Sequence, residues 1–262
     1  MLAVAVCALL AGAGSVAFAL TRGAPEPRLP ASRTSPAPAS PAPSPSGSPS
    51  ASVAPSIPAS PSVSAAASVF PRAGSGTWRY ASTIGAVLGG AGPVRRYRVA
   101  VETGIPIEVA DFAAEVEAAL GDPRSWIAEG RFRLQRVPAG SAAEFTIYLA
   151  TRATSSTMCL AGGLHTDGYT SCRTPGRVIV NLDRWLTSVP DYTRAGIPLE
   201  SYRRYVVNHE TGHQLGHGHE LCPGPGRPAP VMEQQTLGLH GCTANPWPYL
   251  DGTRYAGPPG QY

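Results

Sequence analysis

Four of the chain's six histidines stand in one stretch, Asn208-His209-Glu210-Thr211-Gly212-His213-Gln214-Leu215-Gly216-His217-Gly218-His219. His209 and His213 are about one helical turn apart, so on a helix both imidazoles reach one point from the same face. Gly216 can take the positive φ that ends a helix and turns the chain back, letting His219 bring a third ring nitrogen to that point. Three neutral nitrogens with a fourth position left for water are the ligand set of a catalytic zinc ion, not of a closed structural one. Glu210 directly follows the first of these histidines, where its carboxylate borders the open side of such an ion. His217 competes with His219, but it follows Gly216 immediately and has little chain with which to return. Requiring the extra Gly and His makes this pattern roughly a few hundredfold rarer than His-Glu-x-x-His alone.

Side chains with this task need a rigid helix beneath them. Pro198 suits a first helical turn, and Leu199, Tyr202, Tyr205, Val206, His209 and His213 recur at three- or four-residue spacing until Gly216. The stripe begins apolar and finishes in imidazoles, which are costly to bury unless they have a partner. Upstream, Val94–Val101 alternates as a half-buried strand. Val109–Leu120 carries Phe112, Val116, Ala119 and Leu120 at helical spacing and is stopped by Gly121-Asp122-Pro123. Arg131–Val137 and Glu144–Ala150 alternate again, and Arg177–Leu182 is a β-branched run that reads as a more central strand. This order predicts an α/β (α+β) domain, a mixed sheet with helices packed on it.

The run from His209 to His219 matches every fixed position of the signature His-Glu-x-x-His-x-x-Gly-x-x-His, and the chain thereby resembles the metzincin zinc metallopeptidases. Met232, in Ala229-Pro230-Val231-Met232, stands where that family has its Met-turn. More narrowly, the layout resembles an actinobacterial family of exported metzincin-like proteins, and the specific part of the resemblance runs from Asn208 to Cys242. The resemblance implies a single domain with a twisted mixed sheet, a long zinc helix, a Met-turn and a small C-terminal subdomain. It implies one zinc ion on His209, His213 and His219, lowering the pKa of its water towards about 7. Glu210 would be the general base and peptide or protein the substrate, lying along an exposed sheet edge. The loop between Cys159 and Cys172 is a candidate border of that cleft. No Tyr stands near Met232, so a fourth protein ligand is not supported. Asp183, Glu220 and Glu233 are candidate partners for the ligand N–H groups, or else solvated surface charges.

The remaining chain says where such chemistry would operate. Residues 21–70 hold 12 Pro, 13 Ser and 11 Ala among 50 positions, a composition that buries too little apolar surface to fold. Residues 21–76 therefore read as a disordered spacer, and 77–262 as the one folded domain. Met1–Leu20 has no charged residue and reads as a signal peptide or an N-terminal membrane anchor, with Ala17-Phe18-Ala19 as a cleavage site. Either one places the domain in the cell envelope or outside the cell, with wall or membrane association through the N-terminus. There, Cys159, Cys172, Cys222 and Cys242 are expected to form two disulfides, with sequence proximity favouring Cys159 with Cys172 and Cys222 with Cys242 among three pairings. All 21 basic residues are Arg, without the clustered charge and interleaved aromatics of a nucleic-acid surface. The expectation is a monomeric zinc peptidase. The alternatives are a non-catalytic envelope-binding module of the same fold and a zinc amidase acting on cell-wall amides.

Overall fold

The computed structural model describes residues 70–262. The expected targeting segment Met1–Leu20 and the spacer as far as residue 69 lie outside the described residues. In chain order the elements are β1 Trp78–Tyr80, β2 Val87–Leu88, β3 Val94–Glu102, α1 Val109–Leu120, a 3₁₀ turn Trp126–Glu129, β4 Arg133–Arg136, β5 Phe145–Ala150 and α2 Arg152–Leu160. They continue with β6 Cys172–Thr174, β7 Arg177–Asn181, α3 Leu182–Thr187, α4 Pro190–Arg194, α5 Leu199–Gln214, β8 Tyr249–Leu250 and β9 Thr253–Arg254.

Seven strands make one mixed sheet, as expected for an α/β chain. β3 lies at its centre, parallel to β5 on one side. Its other side is shared by β4, parallel along Val94–Tyr97, and β1, antiparallel along Ala100–Glu102. β7 continues the parallel part beside β5, and β6 closes that end antiparallel to β7. Strand alternation decides what each face meets. Tyr97, Val99 and Val101 of β3, Phe145, Ile147 and Leu149 of β5, and Val178 and Val180 of β7 join the main core with α1 and α5. Ala150, Ile179 and Cys172 point to the other face, into a smaller core with Cys159 of α2. With both faces covered, Val178–Val180 is a continuous apolar run, as parallel strands buried on two sides require.

α1 has the bounds its periodicity predicts, with Phe112, Val116, Ala119 and Leu120 buried. β4 begins two residues later than the alternating pattern, and β5 one residue later. The folded part starts ahead of the Thr77 boundary. Phe70 packs on the main core, the Ala153 N–H donates to the Arg72 carbonyl (3.0 Å), and the Gly76 N–H donates to Glu102 Oε1 (2.8 Å). A carboxylate as fully buried as Glu102 needs such donors, and it also receives the Thr151 N–H at 2.8 Å and the Thr154 hydroxyl at 2.6 Å. α2 carries no clear apolar period in its sequence and is held in place by tertiary contacts.

Both disulfides form with the pairing that proximity favours. Cys159–Cys172 ties the end of α2 to the edge strand β6, and Cys222–Cys242 closes the chain that follows α5. Each contributes about 2–4 kcal/mol. Among the described residues, no helix is long and apolar enough to cross a membrane.

Candidate metal centre

α5 buries Tyr202, Tyr205, Val206 and His209 along one stripe, which fixes the helix against the sheet and aims its last turns at a cleft. Gly216, at φ 101°, ends it. The His217 N–H donates to the Gly212 carbonyl (3.0 Å) and the Gly216 N–H to the His213 carbonyl (3.2 Å), the paired bonds of a Schellman ending. The chain then swings back and delivers His219. His213 Nε2 lies 3.2 Å from His209 Nε2 and 3.1 Å from His219 Nε2.

The other nitrogen of each ring faces an acceptor. His209 Nδ1 is 2.8 Å from the Val231 carbonyl, His213 Nδ1 is 2.9 Å from the His217 carbonyl, and His219 Nδ1 is 3.1 Å from Gln261 Oε1. A carbonyl oxygen only accepts, so each Nδ1 carries a proton, and in the neutral form of such a ring the lone pair stands at Nε2. Three lone pairs converging at this distance repel one another unless a cation lies between them. A tetrahedral ion with zinc–nitrogen bonds of about 2.0–2.1 Å spaces its ligands by about 3.3–3.4 Å, so the donor set fits zinc. Burial holds the His209 imidazole well below its usual range and brings His213 down to about 4, which keeps both rings neutral and ready to ligate.

The floor of the site is a turn. The Glu233 N–H donates to the Pro230 carbonyl (2.9 Å), closing Pro230-Val231-Met232-Glu233, and Met232 is fully buried beneath α5. The same turn supplies the Val231 carbonyl to His209. His217 stays outside this cluster, its ring stacked on Trp126 with centroids 4.2 Å apart. Glu210 and the rings of His209, His213 and His219 line one cavity of about 790 Å³. Burial pushes the Glu210 carboxyl up to about 8, and a dication between the histidines would favour its ionised form. Tyr205 also lines this cavity, but its hydroxyl is committed to the Glu233 carbonyl (3.0 Å).

The three candidate carboxylate partners do not meet the Nδ1 atoms of His209, His213 or His219. Asp183 is buried in the first turn of α3, and Glu220 binds Arg254 at 2.7 Å. Glu233 is fully buried with both carboxylate oxygens unpartnered, within 4.8 Å of the Cys222 and Cys242 sulfurs. Those sulfurs are joined in a disulfide, so this second cluster is not a metal site. None of the three is a freely solvated surface charge. Among the features not anticipated, Gln261 lies 42 residues from His219 and no local pattern marks it. The loop from Leu164 to Ser171 lines the cavity, as the expectation for the disulfide-closed loop had it.

Burial pushes the Glu233 carboxyl up from 4.5 to about 7. The native chain therefore holds this proton more tightly than the unfolded chain. Stability from this group is highest below the unfolded value and falls as pH rises through about 7. Glu233→Gln is expected to flatten that slope, becoming more stable than the wild type at pH 8 by about 1–3 kcal/mol and losing the advantage near pH 4.5. Denaturant melts of both proteins across this range measure the difference.

A family model described as "Protein of unknown function (DUF3152)" matches residues 65–245, a span that contains His209, Glu210, His213, His219, Met232 and all four disulfide cysteines. No curated protein and no solved structure matches the chain.

Proposed function

The chain belongs to the DUF3152 family, and we propose that it is an exported zinc-dependent metallopeptidase in which His209, His213 and His219 hold the ion and Glu210 is the general base. One observation carries this reading: three imidazoles, each with Nδ1 facing a carbonyl acceptor, turn their Nε2 atoms to one point at the wall of a cavity shared with a carboxylate. The motif and the buried Met232 turn support a metzincin-like site, and the two disulfides support a compartment outside a reducing cytoplasm.

A zinc ion held by His209, His213 and His219 would supply a Lewis acid for a substrate carbonyl and would lower the pKa of water towards about 7. Glu210 takes the proton from the attacking water and holds it on a carboxylate oxygen until it reaches the leaving amine nitrogen. β6 pairs only with β7 among the described residues, and the segment Thr170–Arg173 lines the cavity. This free edge would hold an extended peptide in register through main-chain hydrogen bonds, with side chains alternating into and out of the cleft.

The test is metal analysis of the purified protein together with incubation on a random peptide library. One zinc ion per chain and cleavage that stops with a chelator and returns with added zinc are expected. Zinc binding without cleavage of any peptide would sink the peptidase reading and move attention to cell-wall amides or to binding without turnover.

A further inference from the structure

The cavity wall formed by β6 holds a cation with unused hydrogen-bond donors. Arg173 is the middle residue of β6, and strand alternation turns it away from Cys172 and Thr174. Cys172 belongs to the core beneath α2, whereas Arg173 faces the last turn of α5. There its Nε donates to Gln214 Oε1 at 2.9 Å, one residue beyond His213. An Arg at a helix C-terminus is favourable in itself, because that end of the helix is negative. That contact uses Nε alone. Among the described residues Nη1 and Nη2 have no hydrogen-bond or ion-pair partner, and neither is a buried orphan, so both remain open to a ligand. Arg173 is half-buried and lines the same cavity as the three ligand histidines and Glu210. Asp167, another carboxylate of the lining, makes no ion pair with it.

We propose that Arg173 is the anion anchor of this cleft and that the substrate is a peptide carrying a carboxylate close to its scissile bond. The inference rests on the peptidase reading and adds the substrate class to it. A guanidinium fixed through Nε presents its two Nη groups as a planar fork, the geometry that receives both oxygens of a carboxylate. The Gln214 contact fixes the fork's position before substrate arrives, so little side-chain freedom is lost on binding. The carboxylate has two chemical sources, an acidic side chain or the free end of a chain, and they are distinguished by experiment.

Binding is measured by calorimetry on zinc-loaded Glu210→Gln protein, which leaves peptides intact, and again with Arg173→Gln or Arg173→Lys added. The probes are N-acetylated hexa-alanine with a free C-terminal carboxylate, its C-terminal amide, and amide-capped versions carrying Glu or Gln at each position in turn. A carboxylate is expected to bind about tenfold or more tightly than its amide partner. Arg173→Gln should reduce that preference to about twofold, and Arg173→Lys should restore part of it. Preference for the free end identifies a terminal carboxylate, and preference for one Glu position identifies an acidic side chain. Equal binding of carboxylate and amide, or a preference that survives Arg173→Gln with zinc content unchanged, overturns the proposal. Hydrolysis by the wild type is scored separately. If no peptide is cleaved yet the Arg173-dependent preference is present, the anchor stands and the peptidase reading falls.

Discussion

Glu210→Gln is expected to lower peptide hydrolysis by about 10²–10⁴-fold while the protein still binds one zinc ion. Glutamine keeps the volume and the hydrogen-bonding reach of the side chain but cannot take a proton. The three rings that would hold the ion are oriented by Val231, His217 and Gln261, none of which depends on Glu210. The substitution also removes a carboxyl that burial pushes up to about 8, so folding should lose nothing. The effect belongs in kcat, with KM nearly unchanged, because the proton is transferred only on the way to the transition state. Full activity in the variant would remove Glu210 from the mechanism. Loss of zinc would instead place its carboxylate among the ligands. His219→Ala provides the contrast, since it should lose both activity and metal affinity.

The parts of this site that could be read from sequence are those built by local rules. The four-residue spacing of His209 and His213 and the turn at Gly216 are properties of a helix and its ending, and the structure reproduces both. α1 was legible for the same reason, since its apolar spacing and the glycine that stops it lie within one window. The disulfides were legible because short loops leave little choice of partner. What could not be read depends on residues distant along the chain. β6 is three residues long, too short for periodicity to register, yet it carries Arg173 into the cleft. Gln261 finds His219 only because residues 258–260 run back beside residues 219–221. Glu233 looks like a surface charge in sequence, but the turn that puts Met232 under α5 carries its neighbour inward as well.

That turn packs closely on α5 at Gly212, and Gly212→Ala is expected to destabilise the protein by about 1–3 kcal/mol. The sign is opposite to helix propensity, by which Ala would be favoured over Gly by about 1 kcal/mol. A Cβ at this position would lie 2.5 Å from Met232 Sδ and 2.6 Å from Trp126 Cζ2. Neither neighbour yields easily. Met232 is fully buried, and the Trp126 indole is pinned by its N–H donating to the Asn208 carbonyl at 2.8 Å. Pushing Met232 away also moves Val231, whose carbonyl orients His209, so zinc affinity should fall by about 10–100-fold. Met232→Ala alone opens a cavity and costs about 2–5 kcal/mol. In the double variant the new methyl group occupies part of that space, so the combined loss should be smaller than the sum by about 1 kcal/mol or more. Denaturant melts with chelator present isolate the packing effect, and zinc titration isolates the effect on the ligands. A Gly212→Ala protein more stable than the wild type would show that Met232 does not press on the helix, and would remove the physical reason for placing a methionine beneath the histidines.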